Sequence, residues 1–422
     1  MTHTGVNAEP IRRAGGWWTA AFTLAWLGIW TAQLGPVQLV LPEQVKAITG
    51  GVEEDWASTV ATILQFGVVA GVAAIASLIA YPLAGALSDR TTGRWGRRRP
   101  WIAGGTLLFA GSLLLLAAQT TIGGVIVCWA LASVGFCALS AALTAMISDQ
   151  IPVAQRGFVS GLMSAPQGIG VILGVVLAAF VFTGAVAGYT ALAVLLVVLV
   201  IPFLLVAPDA PLPIAERPAF TARALIQGFW ISPRKHPDFG WTLLSRILVN
   251  VANALGTSLL LYFLLFGLGR EASAEEDILI LTVIYALTAA VAAIIGGRLS
   301  DRLGRRRMFV LIAAGLQAVS ALLLALAPAF ETALVSASLS GIGYGAFLAV
   351  DQALATQVLP DAASRGKDLG IMNIASAIPQ GVGPMLGALV IMWAGGFWGL
   401  FLASAVIGIA GALAVLPIRS VR

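Results

Sequence analysis

The string Gly-x-x-x-Asp-Arg occurs twice, half a chain apart, each time at the end of a long apolar run. Residues 85–90 read GALSDR and residues 297–302 read GRLSDR, and Gly-Arg-Arg-Arg follows each, at 96–99 and 304–307. A second pair lies further along each half: PQGIGVILG at 166–174 and PQGVGPMLG at 379–387. The copies stand 212 and 213 residues apart in a chain of 422. Two different strings repeating at one offset indicate internal duplication, so the chain should fold as two similar units.

Those units belong in a membrane. Hydrophobic residues make up 59% and charged residues 10%, and the mean hydropathy is +0.95. Soluble domains carry about 25% charged residues. A span needs roughly 20 apolar residues. Twelve such segments are read, near 17–42, 57–86, 101–119, 122–148, 158–183, 187–206, 239–267, 277–297, 308–328, 332–351, 367–394 and 396–417. Without water to bond stray backbone groups they must be helices, and they are too long and too little alternating for barrel strands. The fold class expected is an all-α membrane protein, twelve helices in two pseudo-symmetric six-helix bundles. Residues 1–206 form the first bundle and 239–422 the second. The proline-rich polar segment 207–238 reads as a linker.

Charge placement orients the bundle. Of 24 Lys and Arg, only Lys46 and Arg270 fall in the odd-numbered loops. The loops after helices 2 and 8 hold Arg90, Arg94, Arg97, Arg98, Arg99 and Arg302, Arg305, Arg306, Arg307, whereas the opposite loops carry Glu53, Glu54, Asp55, Glu271, Glu275, Glu276 and Asp277. Positive loops stay in the cytoplasm, which places both termini and the linker there, in a multi-pass protein of the inner or plasma membrane. The net charge of +5 is therefore a topology signal and not a nucleic-acid signal. The Arg clusters are also suited to anionic lipid. A monomer is expected. The first apolar stretch is too long for a signal-peptide core and reads as an uncleaved span.

Several chemistries find no support. Cys128 and Cys137 share helix 4, and nine residues of helix span about 13 Å, too far for a disulfide. Neither His3 nor His236 lies in a span, so no metal cluster is visible, and no phosphate loop or nucleophile triad is either. An enzyme is not expected, nor is a cofactor.

The duplicated charges suggest a conformational latch built from Gly85, Asp89, Arg90, Arg97 and Arg98, and from Gly297, Asp301 and Arg302. The two glycines would let helices approach closely. Each aspartate, at the membrane surface, would meet the positive N-terminal end of a neighbouring helix, worth about 0.3–2 kcal/mol. The arginines would meet carboxylates or lipid phosphates. The plainer alternative is an ordinary positive-inside loop, which a repeat at the half-chain offset disfavours.

On these residues the chain resembles the major facilitator superfamily. Gly85, Asp89, Arg90, Arg94, Gly96, Arg97, Arg98 and Arg99 meet its signature, while the second copy is shortened between Arg302 and Gly304. The resemblance covers all twelve spans, the linker and the duplication. It implies alternating access, with the halves rocking about a central cavity lined by helices 1, 4, 7 and 10, and Asp89 and Arg90 locking one state. Residues 88–102, SDRTTGRWGRRRPWI, are also similar to the matching loop of the sucrose and glycoside carriers. That branch implies sugar–proton symport. It places an acid and an Arg inside helix 4, where this chain departs from it with Ser133 and Thr144.

Ionisable groups inside a span are costly and merit attention. Glu43, Asp89, Asp149, Asp301 and Asp351 read as helix-end acids, so no carboxylate is placed at mid-membrane and uptake is not expected to need a proton gradient. Arg246 reads as the one deep base. Arg246, Asn250, Asn253 and Thr257 follow at spacings of 4, 3 and 4, on one helix face. They form either a cavity wall that binds solute hydroxyls or a carboxylate, or a snorkelling Arg with amides that bond neighbouring helices.

Helix 1 offers Trp30, Gln33 and Gln38, with Gly35-Pro36 expected to break the helix between the glutamines. An aromatic beside amides suits a sugar ring; a packed Trp and a structural kink is the alternative. Gln167 on helix 5 matches Gln380 on helix 11, near Asn373, although proline and glycine there also read as a flexing point. Tyr344 and Tyr285 are candidates that packing would equally explain, as are Ser133, Ser140 and Thr144.

These features point to a transporter of a small polar solute of the sugar or glycoside kind. Export of an amphipathic, drug-like compound is the rival. A membrane sensor that keeps the fold without transporting is a third reading.

Overall fold

The computed structural model describes residues 14–50, 56–152, 155, 159, 162–163, 166–209, 211–213, 236–357 and 365–418. Among these, the regular structure is all helical, with no strand. In chain order the helices are α1 (Gly16–Thr49), α2 (Trp56–Asp89), α3 (Arg99–Ala117), α4 (Ile122–Gln150), α5 (Pro166–Val181) and α6 (Ala185–Val206), then α7 (Pro237–Gly267), α8 (Ala274–Leu303), α9 (Arg306–Leu326), α10 (Phe330–Gln357), α11 (Arg365–Trp393) and α12 (Phe397–Leu413). Among the described residues nine are long and apolar enough to cross a membrane, and α5 and α12 are shorter apolar helices.

By packing, Met1–Gln44 and Val72–Ala222 form one compact unit, and Val45–Gly71 and Arg223–Arg422 the other. The second unit thus takes in the end of α1 and the first half of α2. There Lys46 pairs with Glu271, the Phe66 ring meets Tyr262 edge-on at 5.5 Å, and Gly67 leaves room for Met385 and Ala388 of α11. The linker residues 214–235 lie outside the described residues.

Helix α1 does not break at Pro36. It passes through a π-helical turn at Pro36–Val40 and continues as α-helix from Leu41 to Thr49. Proline has no N–H for the ordinary ladder, and a wider turn absorbs the mismatch: Leu41 N donates to Pro36 O. The extension carries Gln44 to the end of α3, whose last carbonyls have no helical partner. Gln44 Nε2 donates to Leu116 O and Gln119 O at 2.9 and 3.0 Å, and Tyr189 donates to Gln44 Oε1 at 2.9 Å.

The repeated PQG strings do the same packing in each unit. A Cβ on Gly170 would stand 2.8 Å from the Cβ of Trp30, and one on Gly174 would stand 2.6 Å from the Cα of Gly35, both on α1. In the second unit, Gly383 and Gly387 abut Ala254 and Leu259 of α7, at 2.7 and 2.8 Å. The small residues bring backbones together where a side chain would part them. These strings are therefore helix-crossing points.

Candidate functional site

The polar stripe of α7 is buried, and it gathers side chains from three other helices of the second unit. Asn250 is 0% and Asn253 4% exposed. Tyr344 of α10 donates to Asn250 Oδ1 at 3.0 Å, while Asn250 Nδ2 donates to the Arg246 carbonyl at 2.8 Å. Asn253 Nδ2 donates to the Tyr285 hydroxyl of α8 at 3.1 Å. Gln380 of α11 donates at 3.3 Å both to Asn253 Oδ1 and to the Tyr344 hydroxyl. The rings of Tyr285 and Tyr344 stack with centroids 6.4 Å apart. Two amides, two phenols and an exposed glutamine amide thus form one chain of hydrogen bonds. Thr257, at the end of the stripe, turns its hydroxyl to the Asn253 carbonyl instead.

Arg246 does not snorkel. It is 1% exposed, and its Nε lies 2.9 Å from Asp351 Oδ2 on α10. This corrects the reading of Asp351 as a helix-end acid. Helix α10 runs on to Gln357, so Asp351, 2% exposed, sits more than a turn inside it. Burying either charge alone would be costly, and together they compensate one another.

In the first unit the aromatic candidate is placed by neighbours on two helices. Trp30 Nε1 donates to Met163 O at 2.9 Å, and its ring lies 5.8 Å from Trp26 and 6.0 Å from Phe136 of α4. Gln33 Oε1 and Ser140 Oγ are buried without a hydrogen-bond partner among the described residues. Gln38 is half-buried and Gln167 exposed. Thr144 bonds Met163 Sδ at 3.8 Å, and Ser133 is buried. The side chain of Asn373 lies outside the described residues.

The loop between α2 and α3 is a closed network of its own. Arg98 is held by Asp89, by Asp149 of α4 (Nε to Oδ2, 2.9 Å) and by Ser88 (2.6 Å). Arg97 pairs with Asp149 at 2.6 Å. Asp89 therefore meets a guanidinium, not the expected helix end. That end is taken by Asp209, just past α6, whose Oδ2 accepts from the backbone N–H of Arg98 and Arg99 at 2.6 and 2.8 Å. Gly96, at φ 97°, makes the room: a Cβ there would stand 2.3 Å from Asp209 Oδ2. Its counterpart Gly304 is also left-handed, at φ 62°, and ends α8.

The paired glycines behave differently from expectation. A Cβ on Gly85 would meet nothing within 4 Å, and on Gly297 only Ala349 at 3.6 Å; the tighter approach falls one residue earlier, at Gly296 against Ala346. Arg302 is exposed, Arg90 is partly buried, and the Asp301 side chain lies outside the described residues.

Sequence comparison decides the family. Residues 14–275 and 247–422 match the Major Facilitator Superfamily. The chain belongs to that superfamily. It is 32% identical over 119 residues to the MFS-type transporter YfiU of Bacillus subtilis (strain 168), a stretch covering 28% of this chain and 23% of that protein. It is 28% identical over 174 residues to the major facilitator superfamily multidrug transporter mfsC of Aspergillus fumigatus, covering 40% and 33%. These matches span a third or less of each relative's length. The fold is similar to the crystal structure of the nucleoside transporter NupG, with a TM-score of 0.69 at 15% identity over 95% of this chain and 98% of that one.

For this superfamily member, sequence reasoning underrated three residues. Asp351 follows Tyr344 by seven residues, two helical turns on one face, whereas their partners Arg246 and Asn250 stand one turn apart on α7. Tyr285 has only the hydroxyls of Thr282 and Thr288 near it on its own helix face, and Thr288 turns to the backbone, so no amide or charge marked it. Asp209 lay among linker residues, and its role depends on α3 arriving beside the end of α6.

Proposed function

We propose that this protein is a secondary active or facilitative transporter, working by alternating access, for a small uncharged polar solute of the sugar or glycoside kind. The observation that carries the reading is the hydrogen-bonded series Tyr285–Asn253–Gln380–Tyr344–Asn250. Amides and phenols both donate and accept, as hydroxyl-rich solutes require. The stacked tyrosine rings suit the apolar face of a sugar. Arg246 already has a carboxylate beside it, which favours solute hydroxyls over a solute carboxylate. Trp30, Gln33, Gln38 and Gln167 are the proposed contribution of the first unit, and the unpartnered Gln33 Oε1 supports it. The proposed latch is the Asp89, Arg97 and Arg98 network in the first unit, with Gly297, Asp301 and Arg302 as its counterpart. The Arg-rich loops favour cytoplasmic termini, and exposed Arg94, Arg302 and Arg305 are the arginines proposed to meet lipid headgroups.

A thermal-shift screen of sugars, glycosides, polyols and drugs on detergent-solubilised protein tests the reading. A bound solute at 100 times its Kd adds about 2.7 kcal/mol to stability. Stabilisation by a glycoside is expected. Stabilisation by hydrophobic cations alone would replace it with export of amphipathic compounds, the reading favoured by the similarity to the multidrug transporter mfsC.

A further inference from the structure

The Arg246–Asp351 pair joins buried charges of α7 and α10, and the side chains of the hydrogen-bonded series do not use it. Both residues are at least 98% buried. Arg246 stands one turn from Asn250 on α7, about 6 Å along the axis at 1.5 Å per residue. Asp351 stands two turns from Tyr344 on α10. Because the helices run in opposite directions, the two contacts, Arg246 to Asp351 and Asn250 to Tyr344, are successive rungs between the same helices. A guanidinium one rung from the amides would impose a strong positive potential on them in a medium of low dielectric. The carboxylate cancels it.

We propose that Asp351 determines specificity by masking the charge of Arg246, so that the neighbouring amide and phenol groups accept uncharged solutes and refuse anions. Asp351 acts through Arg246 and is a positioning residue. The inference rests on the proposed site only in assigning the solute to the Asn250–Tyr344 rung; the masking itself is a property of the pair.

The test separates the two. Purified Asp351→Asn, Asp351→Ala and the neutral pair Arg246→Gln/Asp351→Asn are compared with the unaltered protein in detergent, at matched ionic strength, in sodium formate and sodium chloride. Formate is expected to raise the melting midpoint of Asp351→Ala saturably, by occupying the vacated carboxylate position, and to leave the unaltered protein and the neutral pair unchanged. In the second arm, Asp351→Asn is expected to bind an alkyl glucuronide at least tenfold more tightly than the unaltered protein does, while the neutral pair keeps the original preference for the uncharged glucoside. A formate response equal in Asp351→Ala and the unaltered protein overturns the proposal, as does an anion preference in the neutral pair. If the single variants do not survive purification, the neutral pair decides. It removes both charges while keeping polar groups on both helices, so failure to fold would assign the ion pair to architecture alone. If formate acts as expected and neither sugar derivative binds, the masking stands and the sugar reading falls.

Discussion

A Cβ placed on Gly383 would stand 2.7 Å from the Cβ of Ala254, so α11 and α7 touch there almost backbone to backbone. Gly170 meets Trp30 on α1 in the same way, at the matching position of the other unit. Gly383→Leu should therefore force α7 away from α11 and disturb Asn253 and Gln380, which bond across that same pair of helices. Overpacking of this kind costs about 1–3 kcal/mol. A lowered melting midpoint together with weakened solute binding is expected, and Gly85→Ala, where a Cβ meets open space, should leave both near their original values.

Tyr344→Phe removes the hydroxyl that donates to Asn250 and accepts from Gln380. Asn250 Oδ1 then loses its donor in a buried setting, a loss worth about 1–3 kcal/mol. Solute affinity measured by calorimetry should fall about tenfold or more. An unchanged affinity would return the phenol to packing alone.

Asp89 and Asp149 share Arg98 but not equally. The Asp89 side chain is 51% exposed and that of Asp149 22%, and Asp149 also holds Arg97. An exposed pair contributes about 0–1 kcal/mol, so Asp89→Asn should barely change the melting midpoint, whereas Asp149→Asn should lower it. In proteoliposomes Asp89→Asn should slow turnover without changing the solute Kd. Turnover at the original rate would remove Asp89 from the latch.

Asp209→Ala deprives the Arg98 and Arg99 amides of their acceptor at the start of α3. Loss of such a capping group costs about 0.5–2 kcal/mol. Thermal unfolding should show the loss, and Asp209→Asn, which keeps an acceptor oxygen, should recover part of it.

The covalent order of residues settled whatever depends on local geometry. Apolar length set the helices, because a backbone in lipid must satisfy itself. Spacings of 4, 3 and 4 set one face of α7, because 3.6 residues make a turn. The repeat at half the chain set two like units, and Gly170 and Gly383 occupy matching crossings. Tertiary structure alone decided which face meets which. Asp351 became the partner of Arg246 because α10 runs past it and lies antiparallel to α7. Asp209 displaced Asp89 as the acceptor for α3 because the end of α6 arrives there. Pro36 widened a turn in α1 instead of ending it, leaving Gln44 to close the end of α3. Helical period is fixed within a few residues of chain. The alignment of one helix against another is fixed by all the contacts between them, and no spacing within either helix encodes it.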